Sequence, residues 1–141
     1  MSLEDAAEVA NLTSQLGYRS TEADVKRRYA LIHARSDGRL IVALDINATV
    51  VGWIHVQELS LLEADQRAEI WGLVVADTVR GSGVGRLLVE AAEAWAVRRG
   101  LEIMGVRSNS LRVEAHAFYE HLGYEVVKTQ KAFRKNLKSG I

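Results

Sequence analysis

A chain of 141 residues, 48% of them hydrophobic, is long enough to bury a core, and one globular domain spanning residues 1–141 is expected. Eighteen basic and eighteen acidic residues cancel, which excludes a general electrostatic attraction to nucleic acid or to an anionic membrane. The lack of cysteine excludes disulfides, thiolate zinc sites and a cysteine nucleophile. With no apolar run near the roughly 18 residues of a membrane span and an acidic start, MSLEDAAEV, a soluble, cytoplasmic protein is expected.

From Leu3 to Leu16 the apolar positions Val9, Leu12 and Leu16 keep helical spacing, and Gly17 supplies a stop. After the linker Tyr18-Arg19-Ser20, Thr21 with Asp24 forms a capping box. Val25, Tyr29 and Ile32 then line one face of a second helix that ends near Asp37-Gly38. Leu40–Leu44 and Val50–Glu58, separated by turn residues, predict a hairpin, with His55 on the strand face that holds Val51 and Trp53. Leu59–Arg67 is expected to be a loop. In the next strand, Ala68–Val75, strict alternation would put Glu69, Trp71, Leu73 and Val75 on one face. A carboxylate inside that apolar strand is either at a wet end with a partner or a base beside a cleft.

The strand runs into VVADTVRGSGVGR, Val74 to Arg86. Glycine at 81, 83 and 85 permits positive φ and removes side chains, so backbone N–H groups can converge on one bound group. A helix start adds free N–H donors and the positive end of its dipole, and the combination is an anion cradle suited to phosphate or pyrophosphate. Three familiar cradles fail on spacing. A P-loop needs Lys and then Ser or Thr where Arg86 and Leu87 stand, G-x-G-x-x-G needs glycine where Arg86 stands, and G-x-S-x-G needs glycine where Arg80 stands.

The following helix is expected to bury Val84, Leu87, Leu88, Ala91, Ala92 and Trp95, and to end at Arg98-Arg99-Gly100. Leu101–Arg107 is the next strand. Asn109 or Ser110 caps a helix with Leu111, Ala115, Phe118 and Leu122 as its core stripe and Tyr119 off that stripe. Tyr124–Gln130 and Ala132–Leu137 read as a closing hairpin. Its basic run, Lys128, Lys131, Arg134, Lys135 and Lys138, is read as a solvated edge ahead of a docking surface for an acidic partner. His116 and His121 are five apart and cannot share a helix face as a metal pair, and no metal is expected.

Arg80-Gly81-Ser82-Gly83-Val84-Gly85 matches R/Q-x-x-G-x-G/A, and NSLRVEAHAFYEHLGYEVV, Asn109 to Val127, supplies a Tyr and a Leu-Gly-Tyr. On these two motifs the chain resembles the GNAT superfamily of acetyl-CoA-dependent N-acetyltransferases, with Asp77 where the family often has proline. The resemblance implies an α/β fold, a mixed, mostly antiparallel twisted sheet with helices on both faces and a splayed central strand pair. The family's usual first edge strand has no residues here.

The resemblance further implies acetyl-CoA as co-substrate. Its pantetheine arm would pair with the backbone at Leu73, Val74 and Val75, with the Val75 N–H polarising the thioester carbonyl. Arg80, Gly81, Ser82, Gly83, Val84, Gly85 and Arg86 would surround the pyrophosphate, and Asn109 would contact the pantetheine or donate near the thioester. Tyr119 would hydrogen-bond the CoA sulfur and protonate the leaving thiolate, its alternative being an amphipathic tyrosine at a helix–sheet boundary. Glu69, eleven residues before Arg80, stands where some members carry a base, which acetyl transfer to an ammonium requires; structural pairing is its alternative.

Tyr18, Arg19 and His55 are candidate acceptor contacts, each with a packing role as its alternative. Glu63, Asp65 and Glu69 lean toward a cationic acceptor among polyamines, aminoglycosides, amino acids and protein amines. The expected activity is direct acetyl transfer to a primary amine in a ternary complex, the competing reading being a non-catalytic acyl-CoA sensor. Homodimerisation is common in the family, and no interface is legible here.

Overall fold

The computed structural model describes residues 1–15, 17–108 and 113–138. These form two compact units, residues 1–107 and the residues from 108 onward. In the first unit a 3-10 turn, Leu3–Asp5, leads into α1, Ala6–Gln15, which is followed by α2, Glu22–Ala34. The capping box forms as expected: Thr21 Oγ1 accepts from the Asp24 N–H at 3.0 Å, and the Asp24 carboxylate accepts from the Thr21 N–H at 3.1 Å.

The sheet runs in order β1, Gly38–Leu44; β2, Val50–Leu61; β3, Ala64–Val75; β4, Met104–Val106. The first three strands are antiparallel and β4 joins β3 in parallel, with α3, Val84–Arg98, as the crossover. Residues paired directly across antiparallel strands share a face, so the register assigns the two layers. On one face Trp53 and Val74 meet α1, where Val9, Ala10 and Leu12 form a core with Val25 of α2. The Trp53 indole N–H donates to Thr13 Oγ1 at 3.0 Å, which locks α1 to the sheet. On the other face α3 packs on β1, β2 and β3, with the Leu88 side chain directly over Gly52.

The predicted loop at Leu59–Arg67 is instead the tip of a long β2–β3 hairpin, with Leu61 opposite Ala64 and only Leu62 and Glu63 in the turn. Its turn lacks the Asn-Gly or Asp-Gly signal that marks such hairpins, so the sequence did not expose it. The predicted face of β3 is also corrected. Pairing passes from His55↔Gly72 to Val56↔Ile70, which leaves Trp71 as the extra residue of a bulge. One inserted residue inverts the alternation: Glu69 shares the α1 side with His55 and Trp53, whereas Leu73 and Val75 face α3. Gly72 is required next to the bulge because a Cβ there would lie 2.8 Å from the Trp53 ring.

In α3 the buried stripe is Leu88, Val89, Ala92, Trp95 and Ala96. Leu87, expected inside, is 65% exposed, because the sheet meets the helix on the side of Val89 and Ala96. The crossover ends at Arg99, whose guanidinium bonds Glu58 at 2.6 Å and lies over the Trp95 ring.

In the second unit α4 spans Val113–His121. The predicted caps Asn109 and Ser110, and Leu111 of its stripe, lie outside the described residues, as does Leu16. The predicted closing hairpin is not formed among the described residues of this unit: residues 124–138 carry β-favouring side chains but no paired ladder, and a strand exists only with a partner for its backbone.

Candidate active site

The site begins where β3 and β4 part. Their pairing is Ala68↔Met104, Glu69↔Gly105 and Ile70↔Val106, and β3 continues for five residues beyond it. The Ala76 N–H donates to Val51 O at 2.9 Å, toward β2. Alternate residues of a strand bond to opposite sides, so Val74 also faces β2, while the N–H and C=O groups of Leu73 and Val75 point to the opposite edge. Among the described residues no strand pairs with that edge. It is a row of backbone donors and acceptors open to an extended ligand.

The same strand delivers the chain to the glycine turn. A 3-10 turn, Asp77–Val79, precedes Arg80, and Gly81 and Gly83 take φ of 81° and 90°. These values are strained for a residue with a Cβ, and the space a Cβ would fill at either glycine is open to 4 Å. Gly83 is the N-cap of α3 and gives it no side-chain cap, and the first turn carries no acidic residue. The first N–H groups of a 15-residue helix therefore lack a side-chain acceptor, at the positive end of its dipole. Two other N–H groups close the turn itself, Arg80 to Asp77 O at 3.3 Å and Ser82 to Val79 O at 3.1 Å, and the Ser82 hydroxyl also donates to Val79 O. Arg80 pairs with Asp77 at 3.1 Å and Arg86 with Glu90 at 2.9 Å, both exposed pairs of the weak kind that a polyanion displaces. Open strand edge and uncapped helix start suit the pantetheine and pyrophosphate of a coenzyme A thioester.

Glu69 is 4% exposed, on the sheet face opposite α3. Each carboxylate oxygen has its own guanidinium: Oε2 lies 3.5 Å from Arg67 Nη2, and Oε1 lies 3.1 Å from Arg107 Nε. These two arginines were not singled out in the sequence. Arg67, two residues before Glu69, was visible by alternation, whereas Arg107 reaches it only through the parallel register of β4. Cross-strand from Glu69 stands Gln57, whose amide donates to Asp37 O at 3.0 Å. Two residues along β2 is His55, edge-on to Trp71 with ring centroids 5.6 Å apart.

His55 Nε2 is buried and has no hydrogen-bond partner among the described residues. Burial lowers the His55 pKa from 6.5, opposed in part by a hydrogen bond to Gln57. The unfolded chain therefore binds more protons than the native one in the window between the folded pKa and 6.5. His55's contribution to stability is complete above about pH 6.5 and is lost as pH falls through the folded pKa. His55→Gln is expected to flatten that part of the stability–pH curve, measured as denaturant midpoints from pH 5 to 8; an unchanged slope would refute the assignment.

Of the other predicted residues, Tyr18 is exposed in the linker between α1 and α2, and Arg19 beside it is also exposed. Within the second unit the Tyr119 ring meets Phe118 and Tyr124 edge-on, with centroids 5.1 and 5.8 Å away. Asn109 lies outside the described residues. Among the described residues no group of three His, Cys, Asp or Glu side chains could hold a metal ion.

Residues 5–124 match the model of the Acetyltransferase (GNAT) family. The chain belongs to that family. It is 36% identical over 80 residues to the aminoalkylphosphonate N-acetyltransferase of Salmonella typhimurium, covering 56% of this chain and 52% of that protein, so it spans about half that relative's length. It is 28% identical over 109 residues to the aminoglycoside N(6')-acetyltransferase type 1 of Stenotrophomonas maltophilia, covering 74% of this chain and 71% of that one. Among solved structures, a transcriptional regulator from Bacillus halodurans C-125 superposes with a TM-score of 0.85 at 23% identity, over 96% of each chain. At that identity the likeness is one of fold.

Proposed function

We propose that this chain transfers the acetyl group of acetyl-CoA to a primary amine by direct attack in a ternary complex. The observation that carries the reading is the continuous run from the open backbone edge at Leu73 and Val75, through two left-handed glycines, to the uncapped start of α3. Both curated relatives are N-acetyltransferases, which supports the same chemistry here. Acetyl-CoA supplies an activated thioester.

In this reading the edge of β3 orients the pantetheine arm, and the Val75 N–H donates to the carbonyl oxygen as charge builds on it. Gly81, Gly83, Val84, Gly85 and Arg86 offer backbone N–H groups to the pyrophosphate, with the Arg80 and Arg86 guanidiniums beside it. Glu69 takes the ammonium proton, through water, so that the amine nitrogen has a lone pair; the C–N bond forms as the C–S bond breaks. Tyr119, on its motif position alone, donates a proton to the departing thiolate. Holding the two reactants together supplies much of the rate, since the chain has no cysteine to form a covalent intermediate.

Thiol release from acetyl-CoA, followed across a panel of amines, tests this. Turnover that requires both acetyl-CoA and one amine class is expected. Tight CoA binding with no turnover on any amine would point to an acyl-CoA-binding module instead.

A further inference from the structure

We propose that the acceptor is a small amine carrying its own anionic group, a carboxylate or a phosphonate, and that Arg107 holds that anion. This rests on the acetyl-transfer reading above and names the substrate class of the same site. Glu69, Arg67 and Arg107 together carry one negative and two positive charges, a surplus of one positive charge beside a buried carboxylate.

The neighbouring acids do not cancel it. Asp37 is bonded to Arg35 at 3.0 Å, and Glu58 is on the α3 face, bonded to Arg99. Asp65 is four residues back along β3, about 13 Å at strand rise, and Glu63 is in the hairpin turn beyond it. The acids that suggested a cationic acceptor in the sequence are therefore dispersed, and the one at the site is paired with two arginines.

Position adds a second argument. Ile70↔Val106 is the last β3–β4 pair, and Arg107 is the next residue, at the mouth of the gap where the thioester would lie. Its side chain is 74% exposed while its Nε lies 3.1 Å from Glu69 Oε1 in an ion pair. Its two Nη groups have no other partner among the described residues, and their N–H donors form the fork that binds a carboxylate or phosphonate with two parallel hydrogen bonds. Glu69 thus orients the Arg107 fork, and an acceptor whose anion seats there brings its amine to the strand gap. A polyamine would meet the surplus positive charge unshielded.

Calorimetric titration of the CoA-saturated protein with β-alanine, 2-aminoethylphosphonate, ethanolamine and spermidine tests the proposal. One or both anionic amines are expected to bind at least about tenfold tighter than ethanolamine, the scale of one charge-assisted hydrogen bond, with spermidine weakest. The two anionic arms decide between carboxylate and phosphonate. Arg107→Gln is expected to erase the preference and Arg107→Lys to keep part of it, with CoA affinity unchanged in both. Equal or tighter binding of ethanolamine or spermidine, no binding of either anionic amine, or a preference that survives in Arg107→Gln would overturn it. If Arg107→Gln does not fold, the wild-type ranking and Arg107→Lys decide. The CoA titration reads the acetyl-transfer proposal separately, since a folded protein without CoA affinity would overturn that reading whatever the amines do.

Discussion

Gly83→Val is expected to lower acetyl-CoA affinity by about two orders of magnitude while leaving a folded protein. Gly83 holds φ of 90° at the N-cap of α3, and a β-branched residue forced to that angle costs roughly 1–3 kcal/mol of local strain. The residue would relieve the strain by rotating the turn, which turns the N–H groups of residues 83 to 85 away from a common point. A side chain would also occupy the space at Gly83 that is open to 4 Å, beside the N–H groups that open α3. Core packing is untouched, because no residue of the turn from Asp77 to Gly83 is buried. Calorimetric titration with acetyl-CoA, beside a thermal melt, measures both halves of the expectation. Wild-type affinity in a folded Gly83→Val protein would remove the cradle from the cofactor site.

Glu69→Gln is expected to reduce kcat by about a hundredfold or more, the scale of a lost general base, with acetyl-CoA affinity retained. The substitution keeps the shape and an acceptor oxygen toward one arginine but removes the group that takes the proton. Glu69 also pairs with Arg67 and Arg107, so the same substitution tests the structural alternative. If pairing is its whole role, the melting temperature falls, any loss appears in amine affinity through the Arg107 fork, and kcat stays at the wild-type value. A kcat loss at near-neutral pH that is relieved as pH rises, when more of the amine is already deprotonated, is the signature of the base. A loss that is flat with pH would contradict it.

The parts legible in the sequence were those that a short stretch of chain determines by itself. The capping box at Thr21 and Asp24 is three residues long, and it formed as read. The glycine turn is equally local: positive φ at Gly81 and Gly83, and a helix opening at Val84, follow from residues within one turn of each other. Periodicity also found α3 and the β1–β2 hairpin, though Leu87 lay outside the buried stripe because only the partner sheet decides which side of an apolar helix is covered. The hairpin tip at Leu62-Glu63 escaped for a related reason. Its residues have no turn chemistry of their own, and the ladder on either side forces the reversal.

The surroundings of Glu69 were decided by tertiary structure. In the sequence, Glu69 alternates with Leu73 and Val75, and Arg107 is thirty-eight positions away. The bulge at Trp71 reverses the face, because a strand's side-chain period is two and one extra residue inverts everything before it. The parallel register of β4 then carries Arg107 Nε to 3.1 Å from the carboxylate. Sequence by itself thus determined the glycine turn and the uncapped start of α3, whose donors are contiguous backbone groups. Which charges stand beside Glu69 was decided by strand register, which balances contacts from distant segments and has no local signature.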